Sequence, residues 1–163
     1  MGEGRSAPEL IVFDLDFTLW DCGGLWVDCV RYPFREDANR ILDRDGRVMR
    51  LYEEVPAILD EVEEAGIPMA LASRTEQPGW ARDLLDLMGI RSRFEHEQIF
   101  PGSKVAHFSR LAEDTGLPFE RMMFFDDEYR NIVEVGELGV HCIEVRSGLD
   151  RSTFEQGWTS FPG

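Results

Sequence analysis

The chain has 163 residues, 32 of them acidic and 17 basic, for a formal charge of −15. That length favours one domain with a core of its own, and 43% apolar residues with 11% aromatics exclude a disordered chain. The acidic balance argues against nucleic acid or a membrane surface as a partner, and no apolar run nears the roughly 18 residues of a spanning helix.

Residues 1–9 are polar and lack the apolar centre of a signal peptide. Leu10-Ile11-Val12-Phe13 is a short apolar run that stops at Asp14, which predicts a strand buried on both faces. Residues 20–51 show no sustained helical period; Ile41-Leu42 and Val48-Met49 flank Asp45-Gly46, so a loop plus a small β-hairpin flap is expected. Helix and strand signals then alternate. Residues 56–65 read as a helix stopped by Gly66, and 67–72 as a second buried strand ending at Ser73. A helix over 79–88 and a weaker strand over 94–100 follow. Residues 103–115 predict a helix capped by Ser103 and stopped by Gly116. Residues 122–125 predict a strand ending at Asp126-Asp127, then a helix over 128–138 and a strand over 140–145. The tail, 149–163, reads as a short helix or as disordered.

This alternation predicts an α/β domain with a mostly parallel sheet. In such sheets ligands lie beyond the carboxyl ends of the strands, where this chain carries Asp14, Ser73 and Asp126-Asp127. Cys22, Cys29 and Cys142 form no CxxC pair, and an odd count argues against a secreted disulfide framework, so a reducing cytoplasm is expected. Sixteen arginines stand against one lysine, Lys104. Adaptation of the surface to high salt and GC-rich codon usage both produce that ratio.

Four groups could carry chemistry. Asp14 and Asp16 are two residues apart at a strand end, where one carboxylate can attack while the other handles protons; alone, the pair is as readily a solvated turn. Ser73 and the N–H groups after it can cradle phosphate oxygens, or Ser73 can merely cap a helix; Arg74 beside it could clamp a ligand or face solvent. Lys104 opens a helix, where the dipole disfavours a cation, and could neutralise a phosphoryl group or an aspartate. Asp126 and Asp127 repel each other unless a cation is near, and such oxygen ligands suit Mg²⁺. Trp20 and Trp26 could line a substrate mouth or form the flap's own core. The histidines (His96, His107, His141) share no metal-ligand spacing.

The order of these groups matters more than any member. The run from Phe13 to Trp20, with Leu51-Tyr52-Glu53-Glu54-Val55-Pro56, Ala72-Ser73-Arg74-Thr75, Phe100-Pro101-Gly102-Ser103-Lys104, Phe124-Phe125-Asp126-Asp127-Glu128 and Arg130-Asn131-Ile132, resembles the capless magnesium-dependent phosphatases of the haloacid dehalogenase (HAD) superfamily. The resemblance spans about residues 10–148 and departs around 21–25 and in the flap. It implies a three-layer Rossmannoid fold without a large cap: core near 9–148, flap near 20–51. It also implies phosphomonoester hydrolysis through an aspartyl-phosphate. Asp14 would be the nucleophile and Asp16 the general acid and base. Mg²⁺ would be held by Asp14, the Asp16 main-chain carbonyl and Asp127. Ser73, Arg74 and Lys104 would bind phosphate or substrate, and Asp126 would orient Lys104. The choice of Asp127 over Asp126 as direct ligand is the resemblance's alone. Substrates would be small phosphometabolites such as sugar phosphates, or phosphotyrosine in a phosphoprotein. A phosphotransferase shares every motif, and a non-catalytic phosphate-binding module shares the fold. A response-regulator receiver is disfavoured, because there the phosphorylated aspartate lies in mid-chain and the acidic pair comes first.

Overall fold

The four apolar residues of β1 (Leu10–Phe13) divide between two cores. Leu10 and Val12 join Phe108, Leu111 and Val135 on one side, while Ile11 and Phe13 join Ile58, Leu59, Leu84 and Phe154 on the other. Side chains alternate across a strand, so a strand covered on both faces must be apolar throughout. The computed structural model describes residues 6–162. The polar start read at 1–9 falls mostly outside that range.

After β1 the chain forms β2 (Trp20–Asp21), β3 (Arg35–Asp37), β4 (Arg40–Leu42), β5 (Val48–Leu51) and α1 (Val55–Glu64). Then come β6 (Met69–Ser73), α2 (Pro78–Leu87), β7 (Phe94–Ile99), α3 (Lys104–Thr115), β8 (Met122–Asp126), α4 (Tyr129–Gly136), β9 (His141–Glu144) and α5 (Arg151–Ser160). The main sheet is parallel, in the order β7-β6-β1-β8-β9. Residues of α1, α2 and α5 pack on one face, and those of α3 and α4 on the other. Strand order reverses beside β1, which opens a crevice at the carboxyl ends of β1, β6 and β8. The predicted α/β fold with a parallel sheet is observed, with element ends shifted by a residue or two. Ser103 caps α3 by accepting from the Val105 N–H at 3.1 Å, and Gly116 ends it in the left-handed conformation.

The flap is larger than the predicted hairpin. It is an antiparallel sheet in the order β2-β5-β4-β3, with a 3₁₀ turn at Val27–Cys29. The β4–β5 hairpin closes as expected around Asp45-Gly46, organised by Asp43, whose carboxylate accepts the N–H groups of Asp45, Arg47 and Arg31. The β3–β4 hairpin turns on Ala38 and Asn39, both at positive φ (49° and 67°). Such turns normally announce themselves with glycine, and none stands here. Between Asp16 and Ser73 the described chain builds only this flap and α1, so no large cap covers the crevice.

The tail is a helix. Asp150 caps α5 through the Thr153 N–H at 2.8 Å, and Phe154 stacks on Phe125 at 5.9 Å between centroids. A Cβ on Gly157 would lie 2.9 Å from both Ile143 and Phe125. The missing side chain therefore lets α5 settle onto the sheet. No helix among the described residues is long and apolar enough to cross a membrane.

Gly157→Val should therefore force the helix off the sheet and destabilise the protein by about 1–3 kcal/mol. Gly79, in the first turn of α2, has open space where its Cβ would stand, so Gly79→Ala should instead stabilise by about 0.4–1 kcal/mol. Paired denaturant melts read both signs.

Candidate active site

The sequence 14–20 folds into a tight turn after β1. The Leu15 carbonyl accepts the N–H groups of Thr18, Leu19 and Trp20, and Phe17 takes a positive φ of 62°. This turn brings the two aspartates to one end of the sheet and gives them different surroundings.

Asp14 is buried and doubly held. Its Oδ1 accepts from Lys104 Nζ at 2.8 Å and its Oδ2 from the Thr18 hydroxyl at 3.1 Å. Lys104 also donates to Asp126 Oδ2 at 2.5 Å and lies over the Phe124 ring. Burial alone would pull the lysine's pKa down, but Asp14 and Asp126 outweigh it and hold the ammonium above its usual value. Asp126 completes its shell with the Asn131 side-chain amide at 3.1 Å and the Glu128 N–H at 2.8 Å.

Among the described residues no basic side chain pairs with Asp16. Its Oδ1 accepts from Trp20 Nε1 at 2.8 Å and from the Val27 N–H at 3.0 Å. Burial, opposed by the Trp20 bond and aided by Asp14, pushes its carboxyl up to about 7. A carboxyl there can exist in either protonation state near neutrality.

Asp14, Asp126 and Asp127 each offer an oxygen, all within 4.8 Å of one another. Asp126's oxygens are engaged by three donors, whereas the Asp127 carboxyl has Asp14, Asp126 and Glu128 as its charged neighbours. Burial and Asp14, joined by Asp126 and Glu128, push the Asp127 carboxyl up to about 9. Crowding of this kind is what a divalent cation relieves, and an all-oxygen donor set fits Mg²⁺.

A cavity of about 450 Å³ joins these groups; Asp14, Asp16, Ser73, Arg74, Lys104 and Asp127 all line it. Asp126 lies fully buried beneath. Ser73 is nearly buried at the end of β6, its Oγ accepting the Thr75 N–H at 3.3 Å, and Arg74 donates to the Asn131 side-chain carbonyl at 3.2 Å. Asp14, Asp16, Ser73, Arg74, Lys104, Asp126 and Asp127 thus converge at this one crevice. Trp20 and Trp26 part company: Trp20 is core and holds Asp16, while Trp26 is 54% exposed at the mouth.

Sequence reasoning missed the supporting residues. Thr18 and Trp20 each lie four residues after the aspartate they hold, a spacing meaningful only once the turn is known. Asn131 carried no assigned role, yet it joins Arg74 to Asp126. His107 is a packing histidine with a definite task. Its Nε2 lies 2.8 Å from the carbonyls of both Ser73 and Phe100, its Nδ1 3.0 Å from that of Ser103, and its ring stacks on Phe100. It ties the ends of β6 and β7 to the start of α3, and so sets where Lys104 begins.

Comparison with known proteins bears on the family and the fold. The sequence model of the Acid Phosphatase family matches residues 6–162. Magnesium-dependent phosphatase 1 of Homo sapiens is 47% identical over 156 residues, covering 94% of this chain and 87% of the relative. A HAD-like hydrolase superfamily protein of Schizosaccharomyces pombe is 35% identical over 150 residues, covering 84% of this chain and 85% of its own. Among solved structures, a putative phosphatase from Clostridium difficile superposes with a TM-score of 0.69 at 15% identity, covering 94% of this chain and 92% of that one; it speaks for the fold alone.

Removing the lysine should leave two buried carboxylates without their cation. In chelator-treated protein, Lys104→Met should cost about 3–5 kcal/mol in denaturant melts. A loss below about 1 kcal/mol would show that Asp126 does not depend on the ammonium.

Proposed function

The chain belongs to the Acid Phosphatase family, and from that premise we propose that it hydrolyses phosphomonoesters with Mg²⁺ through an aspartyl-phosphate on Asp14. The observation that carries this reading is the contrast between the two aspartates. Asp14 is fixed by Lys104 and Thr18, as a nucleophile must be; Asp16 is held by Trp20 and Val27 without a cation, as a proton donor must be.

An oxygen of Asp14 attacks phosphorus, and the ester P–O bond opposite it breaks. Asp16 gives its proton to the departing oxygen. Water then attacks the phosphorus of the acyl phosphate, the bond from phosphorus to the Asp14 oxygen breaks, Asp16 takes the proton from that water, and Asp14 regains its carboxylate as inorganic phosphate leaves. Ser73 and the N–H groups after it hold the non-bridging oxygens, and Lys104 neutralises charge beside Asp14; positioning and charge dominate phosphoryl transfer. Arg74 stands ready for a further anionic oxygen, kept in place by Asn131. Mg²⁺ would be held by Asp14, Asp127 and the Asp16 main-chain carbonyl, and when bound it supplies the positive charge that lets two anions meet. Asp127 suits this role better than Asp126, whose oxygens already serve three protein donors.

The cavity is wide at the mouth and only the flap covers it, so substrates are taken as small sugar phosphates or phosphotyrosine-like aryl phosphates. Trp26 offers either one a flat face.

Hydrolysis of p-nitrophenyl phosphate should require Mg²⁺, stop with EDTA, and fall at least about 1,000-fold in Asp14→Asn. Retained activity in that variant overturns the mechanism. Asp16→Asn should lose most on substrates with basic leaving groups, by about 100-fold or more; uniform losses would remove Asp16 from the acid role.

A further inference from the structure

Asp28 lies in the 3₁₀ turn Val27–Cys29 of the flap and lines the cavity. Its carboxylate crosses to the loop after β6. Oδ1 accepts from the Thr75 hydroxyl, and Oδ2 accepts the Glu76 N–H at 2.9 Å. Neither element needs the other for its own backbone pairing. The bond is therefore a latch between the flap and the phosphate side of the crevice.

What the latch joins gives it meaning. On the flap side, the residue before Asp28 is Val27, whose N–H donates to Asp16 Oδ1 at 3.0 Å. On the other side, Thr75 donates its N–H to Ser73 Oγ at 3.3 Å and accepts the Gln77 N–H at 3.0 Å. Hydrogen bonds thus run from Asp16 through Val27 and Asp28 to Thr75 and Ser73. Far from the site the flap has a separate anchor: Tyr32 stacks on Trp80 of α2, with centroids 5.3 Å apart and planes within 3°. That clasp holds the flap to α2, and the Val27 side chain is buried in the core, whereas Asp28 ties the residue next to Val27 to the loop after β6.

We infer that Asp28 is a positioning residue that holds the proton-donating Asp16 in register with the phosphate cradle at Ser73. The inference rests on the phosphatase reading above. Asp28 acts through Asp16 rather than on substrate. Both of its oxygens are already accepting, and a free carboxylate at that place would repel a phosphate. A donor displaced by an ångström loses much of its effect on rate. The loss falls on reactions that need the proton, because a leaving group stable as an anion departs without it.

The test is a series of substituted phenyl phosphates, alike in shape and graded in leaving-group basicity, with saturating Mg²⁺. The readout is kcat/KM, which ends at departure of the leaving group. Asp28→Ala should lose about tenfold on phenyl phosphate and less than about threefold on p-nitrophenyl phosphate. Thr75→Val keeps the shape and the Glu76 bond but removes the hydroxyl; it should steepen the same dependence by a smaller factor, and it carries the comparison if Asp28→Ala does not fold. Equal losses across the series, with or without a lower Tm, would make the latch merely structural and overturn the inference. A wild-type protein inactive on the whole series would overturn the phosphatase reading and the latch with it. An active wild type with parallel losses in the variants would overturn the latch alone.

Discussion

One ammonium holds the crevice together. Lys104 Nζ sits between Asp14 and Asp126 at 2.8 and 2.5 Å, joining residues 90 and 22 positions away in sequence. Two carboxylates this deeply buried repel each other strongly unless a cation stands between them. Asp14 follows β1 and Asp126 ends β8, and the cation at the start of α3 stands between these two side-by-side aspartates. His107 and Ser103 fix where α3 begins. The chain's use of basic residues follows the same logic. Most of its paired arginines work away from the crevice, and two of them bridge two acids each: Arg91 with Asp86 and Glu97, and Arg93 with Asp60 and Glu63. A planar fork suits that task; a compact point charge suits the gap between Asp14 and Asp126.

The positive charge is not enough for all the acids present. Asp127 remains crowded against Asp14 and is pushed up to about 9 by burial and by that neighbour. One side of the site is thus a crowd of carboxylate oxygens, and the other is balanced by Lys104. Mg²⁺ fits the first side, as Lys104 fits the second. Asp16 stands apart from both, and its hydrogen bonds from Trp20 and Val27 come from the turn and the flap. On the proposed mechanism the flap would take part in the chemistry as well as cover the site.

The sheet and its site were legible in the sequence for a physical reason. A parallel strand buried on both faces is an unbroken apolar run, and its end is marked by the first polar residue. Asp14, Ser73 and Asp126 are such residues, so their convergence follows from the strand pattern alone. Lys104 was legible because nothing else in the chain is a lysine. The flap was less so. Its sheet is built on short strands with exposed edges, such as Arg35–Asp37, and its β3–β4 turn uses Ala38 and Asn39 in place of glycine. The tail helix was ambiguous because Gly157 weakens a helical pattern locally, and its benefit appears only where α5 meets Phe125. The partners of the aspartates were hidden too. A hydrogen bond from Trp20 to Asp16 depends on a turn geometry that no periodicity encodes.

The central claim is that Asp14 forms a covalent bond to phosphorus. The direct test is a rapid acid quench during turnover, followed by mass spectrometry of the peptides. A phosphoryl group on the peptide carrying Asp14, absent from Asp14→Asn and lost on treatment with hydroxylamine, is the expected result. A stoichiometric phosphoryl group on any other residue, or active turnover with none trapped and with inversion of configuration at a chiral phosphorus, would contradict it.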